Sequence, residues 1–154
     1  MSEEKLKVLY VDDEVHNLTS FKATYRRDFD IYFAESAKEG LEVLAENEIH
    51  IVLSDQRMPV MTGVEFLKIL KEKYPDTIRI LITGYSDIEA VIDAINQGQV
   101  YRYVSKPWDP QDLLLVIQQA HEVYALRKDN LRLVEELKVA NKQLEFLARQ
   151  NLLS

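Results

Sequence analysis

Apolar runs alternate with amphipathic stretches five times along the first two-thirds of the chain. Short runs rich in Val, Ile, Leu and Tyr at 7–11, 31–34, 51–54, 78–82 and 101–104 read as strands. Between them, helical patterns span about 14–28, 37–47, 64–73 and 87–97, and a fifth begins near Pro110. Strands alternating with helices of this length build βαβ units. The expected fold class is therefore α/β, a doubly wound five-stranded parallel sheet with helices on both faces. The punctuation agrees with the periodicity. Gly98 stands where the fourth helix would stop, Asp109-Pro110 offers an N-cap followed by Pro at the first helical position, and Ser36 precedes Glu39 at capping-box spacing.

The fifth helix has no stop signal. After Pro110 neither proline nor glycine occurs up to Ser154, far beyond a globular helix of about 11–12 residues. A heptad runs along it, with Val123, Asn130, Leu137, Leu144 and Asn151 at a and Leu126, Leu133, Ala140 and Leu147 at d. An Asn at an a position sets register and favours parallel pairs. Residues 1–120 are thus expected to form the globular domain, and 121–154 an extended helix that pairs as a dimeric coiled coil or links to an output domain. The other reading is a tail that folds back on its own domain, although no loop signal permits the turn.

Length and composition narrow the classes. With 154 residues, 47% of them hydrophobic, the chain can fill a core without staples, and the absence of cysteine removes disulfides, thiolate metal sites and thiol nucleophiles. No apolar run approaches a membrane span, and the first residues lack the pattern of a signal peptide, so a soluble cytoplasmic protein is expected. The net charge of −7 is uneven: residues 1–120 hold 21 acidic and 13 basic side chains, residues 121–154 hold 5 and 6. Neither part has the concentrated basic face that binding to a phosphate backbone demands, so direct contact with nucleic acid is not expected.

The candidate chemistry sits at strand ends. Asp12 and Asp13 follow the first strand, Asp55 the third, Thr83 the fourth and Lys106 the fifth. In a parallel sheet all of these reach the same carboxyl edge, where ligands bind. Two carboxylates ~4 Å apart repel by about 4 kcal/mol at an effective dielectric near 20. A hard divalent cation relieves that cost, and the cation in turn invites a phosphoryl group.

Four segments, VLYVDDE, LSDQRMPVMTG, LITGYSD and YRYVSKPWD, closely resemble the receiver domain of two-component response regulators, in order and spacing across about residues 5–120. The resemblance implies a flavodoxin-like sheet of order 2-1-3-4-5. It implies that Asp55 takes a phosphoryl group from a histidine kinase or phosphotransfer protein. It assigns Mg²⁺ (or Mn²⁺) to Asp13 directly, to Asp12 through a water, to Asp55 and to the backbone carbonyl of Arg57. By the same resemblance Lys106 pairs with Asp55 and then with phosphoryl oxygen, Gly84 offers its backbone N–H, and Thr83 is the switch hydroxyl. Tyr103 is the aromatic that follows Thr83 inward, with plain strand packing as its alternative. Met58-Pro59 and Gly63 match the turn after the acceptor, and Pro107 follows Lys106 where the family has a cis peptide. Arg57 and Tyr85 occupy positions that tune the lifetime of the phosphoryl group. The output face implied is the fourth helix, fifth strand and fifth helix, leading into the C-terminal coil of a homodimer. Such a protein is a signalling phosphoacceptor and not an enzyme, beyond its own phosphoryl transfer and slow autodephosphorylation.

The YRYVSKPWD variant with a long helical exit is similar to receivers of hydrogenase-type transcription regulators and cyclic-di-GMP phosphodiesterases. The ending Asn151-Leu152-Leu153-Ser154 carries no helix stop and is expected of a piece of a longer regulator; the other reading is a short receiver whose coil is its output. His16, His50 and His121 show no metal spacing and read as surface or helix-flank residues. Trp108 reads as packing at the start of the last helix, or else as a partner contact. Asp87 reads as a helix N-cap beside Tyr85-Ser86. Two other functions share part of this pattern. A haloacid-dehalogenase-type phosphatase also uses an Asp nucleophile, but places two aspartates two residues apart on the first strand, whereas Asp12 and Asp13 are adjacent. A dimerisation module without phosphorylation would not need all five site residues.

Overall fold

The computed structural model describes residues 5–84 and 88–153. Five strands, β1 (Lys7–Val11), β2 (Asp30–Ala34), β3 (Ile51–Asp55), β4 (Ile78–Thr83) and β5 (Arg102–Ser105), alternate with five helices. These are α1 (Val15–Tyr25), α2 (Ala37–Glu46), α3 (Gly63–Lys73), α4 (Ile88–Asn96) and α5 (Pro110–Leu153). The sheet is wholly parallel in the order β2-β1-β3-β4-β5, as the sequence pattern and the resemblance led one to expect. Boundaries move by a residue or so, and α1 stops at Tyr25, short of 28.

The two-residue period of a strand divides its side chains between two cores. Val8, Tyr10, Ile51, Leu53, Ile78, Ile80 and Ile82 pack under α1 and α5. Leu9, Val11, Val52 and Leu81 pack under α2, α3 and α4. The residues of β1 from Val8 on, and all of β3 and β4, are buried, which is why those stretches are mostly apolar, with Arg79 as the buried exception inside β4 and polar residues at the carboxyl ends of β3 and β4. Caps hold the helix starts. Ser36 Oγ accepts the Glu39 N–H at 3.1 Å, and Asp109 Oδ1 accepts from Gln111 and Asp112 at 2.8 and 3.2 Å, both as expected. Thr62 caps α3 in the same way.

The end of α4 is held by cations. Gly98 takes a left-handed φ of 75°, and its N–H and that of Gln99 bond back to Ile95 and Ala94 in a Schellman turn. The carbonyls left over go to positive side chains. Lys71 Nζ donates to Gln97 at 2.6 Å, and the buried Arg79 donates to Gln99 at 2.9 Å and to Gly98 at 3.3 Å. A third bond from Arg79 reaches the Thr77 carbonyl at 2.9 Å. Burial holds the guanidinium below its usual value, with Arg127 of α5 pushing the same way.

Helix α5 leaves the body gradually. Leu113, Val116, Ile117 and Ala120 are buried, and Val123 and Tyr124 still pack on the α1–α5 core. The Tyr124 ring meets His50 edge-on at 4.9 Å, and Lys128 pairs with Asp76 at 3.1 Å. From Ala125 to Leu152 every residue is exposed. The first a position, Val123, is therefore spent inside the subunit, and the exposed apolar side chains of Leu131, Val139 and Phe146 lie off the heptad seam. His50 also departs from the surface reading: it is half-buried, and its Nδ1 accepts the Lys7 N–H at 3.0 Å. His16 and His121 are exposed, as expected. Replacing Arg79 by Met should lower stability by about 2–3 kcal/mol, because several buried carbonyls lose a charged donor; urea unfolding measures it, with a loss under about 0.5 kcal/mol contradicting this account.

Candidate functional site

Asp12, Asp13 and Asp55 converge at the carboxyl edge of the sheet because β1 and β3 are neighbours in register, Val11 lying beside Ser54. One oxygen from each carboxylate can be chosen so that all lie within 4.8 Å of one another. Lys106, at the end of β5, reaches across the end of β4. Its Nζ lies 2.9 Å from Asp55 Oδ1 and 3.8 Å from Asp12 Oδ2. Asp13, Glu14, Asp55, Arg57, Gly84 and Lys106 line a shallow pocket of about 290 Å³. The Lys106–Pro107 bond is cis.

The surroundings of each carboxylate differ. Asp12 is fully buried and saturated with donors: Tyr10 Oη and Asn17 Nδ2 donate to Oδ2, each at 3.0 Å, and the Glu14 N–H donates to Oδ1 at 3.0 Å. Asp13 is exposed. Asp55 is 7% exposed, and its backbone is pinned from below. A Cβ on Gly63 would collide with the Asp55 carbonyl oxygen and come within 2.8 Å of Leu81, so the start of α3 can pass there only as glycine. Gln56 closes the same turn, its Oε1 accepting the Val64 N–H at 2.9 Å and its carbonyl accepting the Gly63 N–H at 2.9 Å. Within the loop Val60 adopts a φ of 72°, a strained conformation for a β-branched residue.

Thr83 is not drawn into the acidic cluster. Its buried hydroxyl donates to the Gly84 carbonyl at 3.0 Å and lines a separate cavity of about 210 Å³ with Ile88, Val91, Tyr103 and Ser105. Tyr103 stands at the edge of that cavity, 47% exposed. Tyr85, Ser86 and Asp87, singled out in the sequence for a tuning position and an N-cap, lie outside the described residues. Trp108 is half-buried, with its ring centroid 6.3 Å from that of Tyr10, the packing role expected of it.

The strand-end pattern does not single out Tyr10, Asn17 or Gln56 as site residues. Tyr10 looks like core, yet strand periodicity places side chains 10 and 12 on one side of β1, and that spacing was a legible signal. Asn17 and Gln56 enter only through the paths of α1 and the β3–α3 turn.

Only oxygen donors converge here, which suits a hard cation such as Mg²⁺ or Mn²⁺ that keeps several waters. A family model for the response regulator receiver domain matches residues 8–118. The chain belongs to the response regulator receiver family. Over all 154 residues it is 38% identical to the hydrogenase transcriptional regulatory protein HoxA of Cupriavidus necator, of which it spans 32%. The crystal structure of the signal receiver domain of an HD domain-containing protein from Pseudomonas fluorescens superposes with a TM-score of 0.77 at 35% identity, covering 84% of this chain and 96% of that one. A response regulator receiver domain protein from Clostridium thermocellum gives 0.75 at 32% identity, covering 79% and 98%. The receiver fold is thus flavodoxin-like, with the long C-terminal helix added. Among the described residues no helix is long and apolar enough to cross a membrane.

Burial raises the Asp55 carboxyl above its ordinary 3.8; the Lys106 hydrogen bond and charge pull it down, and the Asp12 charge raises it again. With the native value raised, the folded state holds this proton more tightly than the unfolded one. The stability from that proton is full below about 3.8 and is lost as pH rises through the native value. In metal-free buffer Asp55→Asn should therefore be more stable than wild type near neutral pH, with the gap closing toward acid. Urea midpoints measured across that range check this, and a wild type more stable than the variant at neutral pH contradicts it.

Proposed function

We propose that this chain is the phosphoacceptor of a two-component phosphorelay, with Asp55 taking a phosphoryl group from the phosphohistidine of a sensor histidine kinase or phosphotransfer protein. The observation that carries the proposal is the Lys106 ammonium held 2.9 Å from Asp55 beside two further aspartates. An Asp55 oxygen attacks phosphorus in line, the phosphorus–nitrogen bond breaks, the imidazole leaves, and an acyl phosphate forms. Bound Mg²⁺ would neutralise charge on the transferring oxygens. Asp13 would hold it directly, Asp12 through a water, with Asp55 and the Arg57 carbonyl completing the protein's share. Asp12 suits the indirect role because three donors already occupy it.

Lys106 then follows the charge from carboxylate to phosphoryl oxygen, and the Gly84 N–H approaches it without a side chain in the way. Thr83 exchanges its bond to the Gly84 carbonyl for one to phosphoryl oxygen. The cavity beside it and the half-exposed ring of Tyr103 support an inward rotation of that ring. The face of α4, β5 and α5 repacks and carries the change into the long helix.

We take residues 1–120 as the receiver unit and 121–154 as a parallel dimeric coil, which also links onward wherever an output domain is present. A lone helix of this exposure is only marginally stable in water. Leu126, Leu133, Leu137, Leu144 and Leu147 are each more than half exposed and stand on the seam that a second copy would cover. The C. necator relative is named a transcriptional regulator, so the view that nucleic acid is not a direct partner rests on charge alone and concerns residues 1–154 only.

Acetyl phosphate with Mg²⁺ should label Asp55 stoichiometrically, with the label lost in Asp55→Asn and when EDTA replaces the metal. Mass spectrometry reads the outcome: continuous turnover without a labelled protein would favour a phosphatase, and no reaction a plain dimerisation module. Beryllofluoride should change the distance between spin labels on the two copies of the long helix. Unchanged distances together with an unchanged oligomeric state would refute the relay to the coil.

A further inference from the structure

Under the acidic pocket lies an aromatic block that the phosphorelay reading leaves without a role. The Tyr10 phenol is fully buried, and among the described residues its hydroxyl has one recorded bond, to Asp12 Oδ2 at 3.0 Å. Burial and then the Asp12 charge push this phenol far above its ordinary value, so it remains a donor. Its ring stacks on Phe21 with centroids 4.7 Å apart, and Phe21 meets Tyr25 at 4.8 Å. The Tyr25 hydroxyl donates to the Pro110 carbonyl, the first residue of α5, at 2.7 Å. On its other side Tyr10 faces Trp108, two residues before α5 begins. A chain of contacts therefore runs from the buried carboxylate of the acidic cluster to both sides of the start of the long helix. It lies on the α1–α5 face of the sheet, whereas Thr83 and Tyr103 border the cavity beside α4.

We propose that Tyr10 is a positioning residue that couples cation occupancy at Asp12 to the start of α5 through Trp108 and the Phe21–Tyr25 pair. This rests on the metal-site reading above but needs no phosphoryl group. A cation that shares the charge of Asp12 weakens it as an acceptor. Asp12 is wholly buried and accepts from Tyr10, Asn17 and the Glu14 N–H, so a change in its charge falls on these bonds, that of the phenol among them. Its ring is close-packed against Phe21, and close-packed interiors transmit such shifts and do not absorb them. Trp108 and the Tyr25–Pro110 bond receive the displacement where α5 is anchored. The long helix thus has a second input, responsive to the metal alone.

Trp108 is the only tryptophan, so its emission reports this block without ambiguity. The full chain and its Tyr10→Phe variant, which keeps the ring and removes the hydroxyl, are each titrated with Mg²⁺ by calorimetry and then compared at saturation. Trp108 emission should change in wild type, and the change should be at least about threefold smaller in the variant. Independently of any variant, saturating Mg²⁺ should alter hydrogen exchange at the Leu113 amide, which bonds to Asp109 in the first turn of α5, by at least about twofold. Equal emission changes in two proteins that both bind Mg²⁺, or unaltered exchange at Leu113, would overturn the coupling and leave the metal site standing. A wild type that binds no Mg²⁺ would overturn the metal site and the coupling together.

Discussion

Three carboxylates share one patch at the edge of the sheet, and among the described residues the Lys106 ammonium pairs with two of them. Lys106 contacts Asp55 closely and Asp12 at longer range, so one positive charge is divided between two buried negative ones. The rest of the architecture serves this arrangement. Continuously buried strands make the sheet rigid enough to bring the acids together against their repulsion, and the parallel order delivers them to a common edge. Gly63 lets α3 begin directly against the Asp55 backbone, which limits how far Asp55 can retreat from its neighbours. The excess of negative charge that results is of the kind a divalent cation would offset.

The long helix raises the opposite problem, too much apolar surface and too little to cover it. Its first part is fixed to the body by buried contacts and by Tyr124 and Lys128 on the underside of the domain. Beyond Lys128 it projects as exposed helix with apolar side chains both on and off the heptad seam. A firmly rooted base and an exposed shaft suit a lever: small rotations at Pro110 would be carried outward along one continuous helix. The two proposed routes, one by Thr83 and Tyr103 and one by Tyr10 and Trp108, would both end at that base.

The anchoring of α4 complements this. Its C-terminal carbonyls are taken up by Lys71 and Arg79, so this end of the helix behaves as a fixed point, while the cavity borders Ile88 and Val91 nearer its other end.

Much of this was legible in the chain itself. Alternation of apolar runs with amphipathic stretches dictated the βαβ units, and strand-end placement was enough to group Asp12, Asp13, Asp55 and Lys106, because a parallel sheet has only one carboxyl edge. Local chemistry named the caps at Ser36 and Asp109. What the sequence could not decide was anything that depends on which side chains meet across elements. Asn17 has no visible role until α1 is laid beside Asp12; His50 reads as surface until Tyr124 is laid against it; Val123 reads as coil until it is found packed on its own domain. Periodicity carries information along one element, and hydrogen bonds and packing between distant residues exist only once the tertiary structure has set the elements side by side.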